Sequence, residues 1–281
     1  MQGEGAGPRV LTLANQKGGS GKSLAANVMS KILAEGGERV LVVDCDEQSG
    51  NLTGDLGVER DATAGTAGAV WDVLAGGEPD LGSLAQRAYD APSGGAVDVL
   101  AGNDGLASLA VELSKPGAIG RERVVSRALA GAAGRWDRVV IDTAGDFSVL
   151  SLAALAASDD VLVPCRPTAS SVQGAATICR LAAQVRDSYN PRLRVAGLFL
   201  NDVNAQARVH RDISRMVAEV CAAEGVPLMR TRLRHSTKAD EIASYAASPA
   251  ELVRGTVARG LVRDAYDLAG EYLAATGEAV S

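Results

Sequence analysis

The run "VLTLANQKGGSGKS", residues 10–23, narrows the choice of fold more than any other stretch of this chain. An apolar, β-prone segment enters a loop holding Gly18, Gly19 and Gly21, and a Lys-Ser pair then opens a helical pattern over residues 22–35. Leu24, Ala25, Val28, Met29, Ile32 and Leu33 recur on one face of that pattern, as an amphipathic helix requires. Strand, glycine loop and helix in direct succession open a βαβ unit. The glycines permit positive φ and let backbone amides approach an anion. The helix adds its first amides and the positive end of its dipole. In such a loop Gly18, Gly19, Ser20, Gly21 and the amide of Leu24 line the cradle, Lys22 reaches the outer phosphates, and the Ser23 hydroxyl is a Mg²⁺ ligand. A glycine turn without any ligand is the alternative, and the flanking strand and helix argue against it.

The rest of the chain continues the alternation. Apolar runs at 10–16, 39–46, 96–102, 138–144, 160–167, 194–202 and 227–234 are mostly continuous and rich in Val and Leu, the pattern of parallel strands buried on both faces. Helical patterns lie over 22–35, 170–187, 208–224 and about 249–275, the last with Leu252, Val253, Val257, Leu261, Ala265, Leu268 and Tyr272. The fold class is therefore α/β: a mostly parallel twisted sheet with helices on both faces, built with right-handed crossovers. Residues 54–95 are rich in Gly and Ala and poorly periodic, and are expected to hold a small helical excursion and mobile loops. The chain reads as a flexible lead-in (1–8), a single domain (9–276) and a short tail (277–281).

Composition removes several classes of function. With 3% aromatic residues there is little to build a stacking platform for single-stranded nucleic acid. A net charge of -6 excludes a uniformly basic surface but not a local basic patch. Cys45, Cys165, Cys179 and Cys221 form no C-x-x-C pair, so free buried thiols in a reducing cytoplasm are expected rather than a zinc or iron–sulfur site. No apolar run approaches the length of a membrane span, and the N-terminus lacks the apolar core of a signal peptide.

One residue of the loop is left over. Lys17 stands at its front, turned away from Lys22 by the glycines, and an ordinary phosphate loop does not require it. "KGGSGKS" resembles the deviant Walker A signature KGGxGK[ST] of ParA/MinD-family ATPases. The resemblance implies that Lys17 crosses a dimer interface to the phosphates of a partner's ATP, which makes the homodimer ATP-dependent. It also implies ATP and Mg²⁺ as cofactors, with Lys17, Lys22 and Asp46 as the catalytic set.

Four further stretches extend the resemblance over about residues 9–255. "DCDEQSGNLT" (44–53) is similar to the family's DxDPQxN switch segment, which implies that Asp46 positions the attacking water and that Asp44 lies near the Mg²⁺ shell. Here Glu47 replaces the proline, and a Ser-Gly pair precedes Asn51. Two acids capping a turn is the plainer reading of the same residues. "RVVIDTAGDFS" (138–148) runs three apolar, β-branched residues into Asp142, as a Walker B strand does, and Asp142 would hold Mg²⁺. The family's DTPP or DTPG is DTAGD in this chain, so only Asp142 is carried over. Asn201 in "GLFLND" corresponds to the residue that hydrogen-bonds adenine, although a strand-end Asn also forms turns. The segment from 230 onward, with Leu233, resembles the one that closes over the base.

Residues 208–238 hold seven basic side chains (Arg208, Arg211, Arg215, Arg230, Arg232, Arg234 and Lys238) against Asp212, Glu219 and Glu224. A basic stretch in an acidic chain is a candidate contact for a phosphate backbone. For the helix positions Arg208, Arg211 and Arg215 an ordinary solvated face serves equally well. Arg232 and Arg234 fall where partition ATPases of the family carry DNA-contacting arginines, and Arg230 and Lys238 flank them. No helix-turn-helix module precedes the phosphate loop, so contact with double-stranded DNA is expected to be non-specific. The resemblance implies a cytoplasmic, nucleoid-associated ATPase with a ParB-like or other adaptor that stimulates hydrolysis and a plasmid, chromosome or other cargo. A MinD-like membrane ATPase would need a basic amphipathic C-terminal helix, and residues 270–281 have no Lys or Arg, so no membrane partner is expected. A metabolic ATP-dependent enzyme on the same fold is the remaining alternative.

Overall fold

All seven apolar runs form strands, and an eighth strand joins them at one edge. The computed structural model describes residues 7–47, 51–59, 65–117, 120–146, 148–204, 206–237, 249 and 259–277. The strands are β1 (Arg9–Leu13), β2 (Arg39–Cys45), β3 (Gln86–Asp90), β4 (Ala96–Leu100), β5 (Arg138–Thr143), β6 (Asp160–Cys165), β7 (Arg194–Val203) and β8 (Leu228–Arg234). They form one sheet in the order β3-β4-β2-β5-β1-β6-β7-β8. Every neighbouring pair is parallel except β3 with β4.

The helices are α1 (Lys22–Glu35), α2 (Asn51–Asp55), α3 (Gly65–Leu74), α4 (Leu81–Leu84), α5 (Gly105–Leu113), α6 (Val124–Ala128), α7 (Val149–Ala157), α8 (Ala169–Ser188), α9 (Arg208–Glu224) and α10 (Arg259–Thr276). Successive strand residues feed opposite layers. Val40 and Val42 of β2 pack with α1 and α10, whereas Leu41 and Val43 pack with α3, α5, α6 and α7. Val161 and Val163 of β6 meet α8 and α9. Strands buried on both sides explain why the sequence shows continuous apolar runs. Ser148 and Thr168 start α7 and α8 by accepting the amides of Ser151 and Ser171, a cap worth about 1 kcal/mol each.

One expectation needs correction. The stretch 54–95 does contain a helical excursion, α3 and α4, but it ends in a strand, β3, that its sequence does not announce. Only Tyr89 of β3 is buried, the pairing shifts between Arg87 and Tyr89, and Arg87 ion-pairs with Asp90 and Asp98. A charged, bulged edge strand lacks the apolar signature by construction. Residues 60–64 of this stretch lie outside the described residues. The last helix is described over Arg259–Thr276 and buries Leu261, Ala265, Leu268 and Tyr272 as expected; residues 250–258, with Leu252, Val253 and Val257, lie outside the described residues.

All four cysteines are free and buried. Burial pushes the thiol of Cys165 up to about 11 and that of Cys179 to about 12, so neither is a ready nucleophile. Among the described residues no helix is long and apolar enough to cross a membrane.

The topology also places the site. From β1 the chain crosses through α1 to β2 on one side of the sheet, and β6, β7 and β8 follow on the other. Ligands of such sheets sit at the C-terminal strand ends beside this reversal. The ends of β1, β2 and β5 are in register there: Asp142 lies opposite Leu13 and Asp44.

Candidate functional site

The glycine loop connects β1 to α1 at that point. Gly19 and Gly21 have φ of 71° and 97°, which the loop needs and L side chains rarely adopt. Gly21 is the residue before α1 and provides no side-chain cap. A Cβ on it would lie 1.9 Å from Nδ2 of Asn201. Among the described residues, nothing accepts a hydrogen bond from the amides of Gly21, Lys22, Ser23 or Leu24. These are the donors a helix start leaves for an anion.

The two loop lysines occupy opposite environments. Lys22 is 6% exposed; burial lowers its pKa, and Asp142, Asp46 and Asp146 oppose that shift. Lys17 is exposed and has no ion pair within the described residues. The backbone of the loop front rests on the segment after β5, where a Cβ on Gly145 would come within 2.6 Å of the Gly18 amide nitrogen. That close approach gives a physical reason for the glycine in DTAGD.

Asp142 is 1% exposed, and neither of its carboxylate oxygens makes a well-formed hydrogen bond. Burial, then the neighbouring Asp44, pushes its carboxyl up to about 8, while the nearby Ser23 hydroxyl and Lys22 pull it down. Buried carboxylates are normally satisfied, so an orphaned one facing a helix start marks a place for a cation. The Ser20 hydroxyl, also fully buried, is without a partner as well.

Asp44 behaves differently. Its Oδ1 accepts from the Asp46 amide at 3.1 Å, and its Oδ2 accepts from the Thr53 amide at 3.2 Å and the Thr53 hydroxyl at 2.6 Å. Thr53 in turn accepts from the Gly102 amide at 2.8 Å. Asp44 therefore ties down both ends of the 46–53 segment. β2 stops at Cys45, so Asp46 lies just past the strand and is half-buried, rather than sharing a strand face with Asp44. Glu47 also faces this side: burial, then Asp146 and Asp46, raises its pKa, and one of its oxygens is buried without a partner.

Asn201, at the end of β7, is 5% exposed and donates Nδ2 to the Ser20 carbonyl at 2.9 Å. Leu233 and Leu24 turn their side chains into the layer between α1 and α10, so neither side chain is free to meet a ligand. Sequence reasoning missed Arg166. It follows β6 and reaches the Gly19 carbonyl at 3.3 Å and the Asp202 carboxylate. Those partners lie 147 and 36 residues away in sequence, so no local pattern could have revealed it.

The basic stretch divides. Arg230, Arg232 and Arg234 alternate on the exposed side of edge strand β8. Arg234 is held by Asp264 at 2.7 Å, and Arg230 lies 3.7 Å from Glu271. Arg232 is exposed and has no acidic partner among the described residues. Arg215 faces Asp212 at 3.7 Å. The side chains of Arg208 and Arg211, and all of Lys238, lie outside the described residues.

Residues 8–195 match the sequence family described as "AAA domain". Over 209 residues the chain is 31% identical to the chromosome partitioning protein ParA of Caulobacter vibrioides, covering 74% of this chain and 75% of that protein. The chain belongs to the ParA/MinD family of P-loop ATPases. Within that family it is also 29% identical over 201 residues to the sporulation initiation inhibitor protein Soj of Bacillus subtilis, covering 72% of this chain and 75% of Soj. An ATP complex of McdA from Cyanothece matches the fold with a TM-score of 0.78 at 19% identity, over 96% of this chain and 98% of that one. A Mycobacterium smegmatis structure described as cobyrinic acid a,c-diamide synthase with bound ADP and magnesium matches with a TM-score of 0.70 at 29% identity, over 88% and 95%.

Proposed function

We propose that this family member is a ParA-type, Mg²⁺-dependent ATPase whose ATP-bound form is a dimer that holds DNA without sequence preference and so segregates or positions a cargo. The observation that carries the reading is the separation of the two loop lysines. Lys22 is buried beside Asp142, committed to a ligand within its own subunit. Lys17 is exposed at the front of the same loop, where a second molecule can meet it. A charge-assisted contact from Lys17 to the partner's nucleotide makes ATP part of the interface.

The donor set fits magnesium. The orphaned Asp142 carboxylate and the Ser23 hydroxyl are oxygen ligands of the kind Mg²⁺ takes in small number alongside phosphates and water. When bound, the ion neutralises phosphate charge. The amides from Gly21 to Leu24 hold the phosphates, Lys22 balances the outermost one, and Asp46 orients the attacking water. Asp44 orders the segment that carries Asp46. Asn201, which the family resemblance assigns to adenine, lies against the loop through its bond to the Ser20 carbonyl. Nucleotide and magnesium in the Mycobacterium smegmatis neighbour, and partitioning in the Caulobacter relative, support the same reading.

The test is co-sedimentation with double-stranded DNA under ATP, ADP and no nucleotide, with Lys17→Ala and Arg232→Ala alongside. Retention that needs ATP and is lost in both variants is expected. Retention that ignores nucleotide refutes the switch, and binding to liposomes in place of DNA favours a membrane ATPase. Phosphate release that requires an amide or carboxylate acceptor would point instead to a ligase like the named Mycobacterium smegmatis neighbour.

A further inference from the structure

Two consecutive peptide units of the glycine loop are gripped from outside by their carbonyls. Arg166 Nη1 donates to the Gly19 carbonyl at 3.3 Å, and Asn201 Nδ2 donates to the Ser20 carbonyl at 2.9 Å. Both peptides are trans. In a trans peptide the C=O and the following N–H point to opposite edges of one plane. A donor that fixes the Gly19 carbonyl on the β6 and β7 side therefore turns the Ser20 amide the other way. The same holds for the Ser20 carbonyl and the Gly21 amide. The Gly21 amide turned in this way is one of those without an acceptor among the described residues.

The anchor of Arg166 is itself built. Its second nitrogen ion-pairs with Asp202, whose other oxygen lies 2.6 Å from Nδ1 of His235, just past β8. Asp202 holds this position with φ of 60° and is the one non-glycine residue with positive φ among the described residues. Backbone of that kind costs about 1 kcal/mol or more, and here it places one carboxylate between the Arg166 guanidinium and the His235 ring, from two different strand ends. Asp202 already satisfies the guanidinium charge, so Arg166 acts on the loop through its hydrogen bond and not as a spare cation.

We propose that Arg166 is a positioning residue of the phosphate cradle: by holding the Gly19 carbonyl it presets the Ser20 amide for a phosphate oxygen, as Asn201 presets the Gly21 amide one residue later. The inference rests on the reading of this loop as the nucleotide cradle, and Asp202 and His235 are its outer supports. A preset amide need not reorganise when the anion arrives, which is where its affinity advantage comes from.

The test uses the full chain, mant-ATP with Mg²⁺ as the probe, and the melting temperature of each ligand-free variant as a check on folding. Arg166→Ala is expected to weaken mant-ATP binding about tenfold, the size of one charge-assisted hydrogen bond, with the ligand-free melting temperature little changed. Arg166→Gln keeps a donor and should recover part of the loss. Asp202→Asn separates positioning from direct charge. It should weaken binding in the same direction as Arg166→Ala, because the guanidinium loses its anchor. If Arg166 instead touches phosphate directly, Asp202→Asn frees its charge and tightens binding. Tighter binding in Asp202→Asn, or wild-type affinity in Arg166→Ala, overturns the proposal. Should Arg166→Ala fail to fold, Arg166→Gln and Asp202→Asn decide the matter. Absence of mant-ATP binding by the wild-type protein overturns the nucleotide reading itself, a result distinct from either variant outcome.

Discussion

The two ends of the sheet treat buried charge in opposite ways. At the N-terminal strand ends, Asp160 is fully buried and accepts from Arg9 and Arg194 at 2.5 Å and from the Tyr272 hydroxyl at 3.1 Å. Arg138, 4% exposed, is held by both oxygens of Glu38 at 2.6 and 3.0 Å. At the C-terminal ends, Lys22 and Asp142 are just as buried, and the Asp142 oxygens make no well-formed hydrogen bond. One end has closed its charge network within the chain; the other has left its network open. Buried charge without compensation is costly, and keeping it at the strand ends where ligands bind is what a site awaiting an anion and a cation requires.

The largest effect expected from this contrast is at the closed end. Asp160→Ala leaves Arg9 and Arg194 without their shared carboxylate, and because both arginines reach solvent it should cost about 2–3 kcal/mol in denaturant unfolding. Burial raises the Asp160 carboxyl, and the hydrogen bonds from Arg9 and Arg194 overcome that to hold it below the ordinary carboxylate range. The stability it provides is therefore present at neutral pH and lost as pH falls through its lowered pKa. A wild-type-like unfolding midpoint for Asp160→Ala would break the contrast.

The next effect has the opposite sign. Asp142→Asn should stabilise the ligand-free protein by about 1–2 kcal/mol at pH 8 and above, while Mg²⁺-dependent ATP hydrolysis disappears. The carboxyl is raised from 3.8 to about 8 in the folded chain, so its ionisation costs stability as pH rises from about 4 through 8. The ligand-free wild type should lose stability across that window relative to Asp142→Asn, and thermal melts from pH 6 to 9 read the difference. Destabilisation by Asp142→Asn throughout would mean that its carboxylate already has a partner.

Gly21→Ala combines a φ of 97° with a Cβ 1.9 Å from the Asn201 amide nitrogen and should cost about 1–2 kcal/mol, with a larger loss in nucleotide affinity. At the small end, Arg232→Ala should leave stability within about 0.5 kcal/mol yet lower the salt slope of DNA retention by about one phosphate contact. Arg234→Ala should lose stability as well, because Asp264 is left behind.

The open end was the more legible from sequence. Its loop is contiguous, its glycines are required by φ, and Asp142 follows an unbroken apolar strand, so local pattern and function coincide. The parallel strands were legible for the same reason, since burial on both faces writes itself as runs of Val and Leu. What stayed hidden depends on distance or on exposure. Arg166 acts on Gly19 and Asp202, far away in sequence. The partner of Asp44 is Thr53, within the quoted segment but with nothing to distinguish it from a turn residue. β3 has a single buried side chain, so no apolar run marks it. The basic patch could be counted from sequence, but its neutralisation by Asp264 and Glu271 comes from α10, which packs beside β8 only in the fold.

The central claim is that Lys17 is left outside its own subunit to complete a second one. Light scattering of the wild type and Lys17→Ala, each with saturating Mg²⁺ and ATP under conditions that suppress hydrolysis, tests it most directly. The account predicts a dimer for the wild type with ATP, a monomer with ADP, and a monomer for Lys17→Ala even when ATP is bound. A wild-type monomer under ATP, or a Lys17→Ala dimer indistinguishable from wild type, would contradict it.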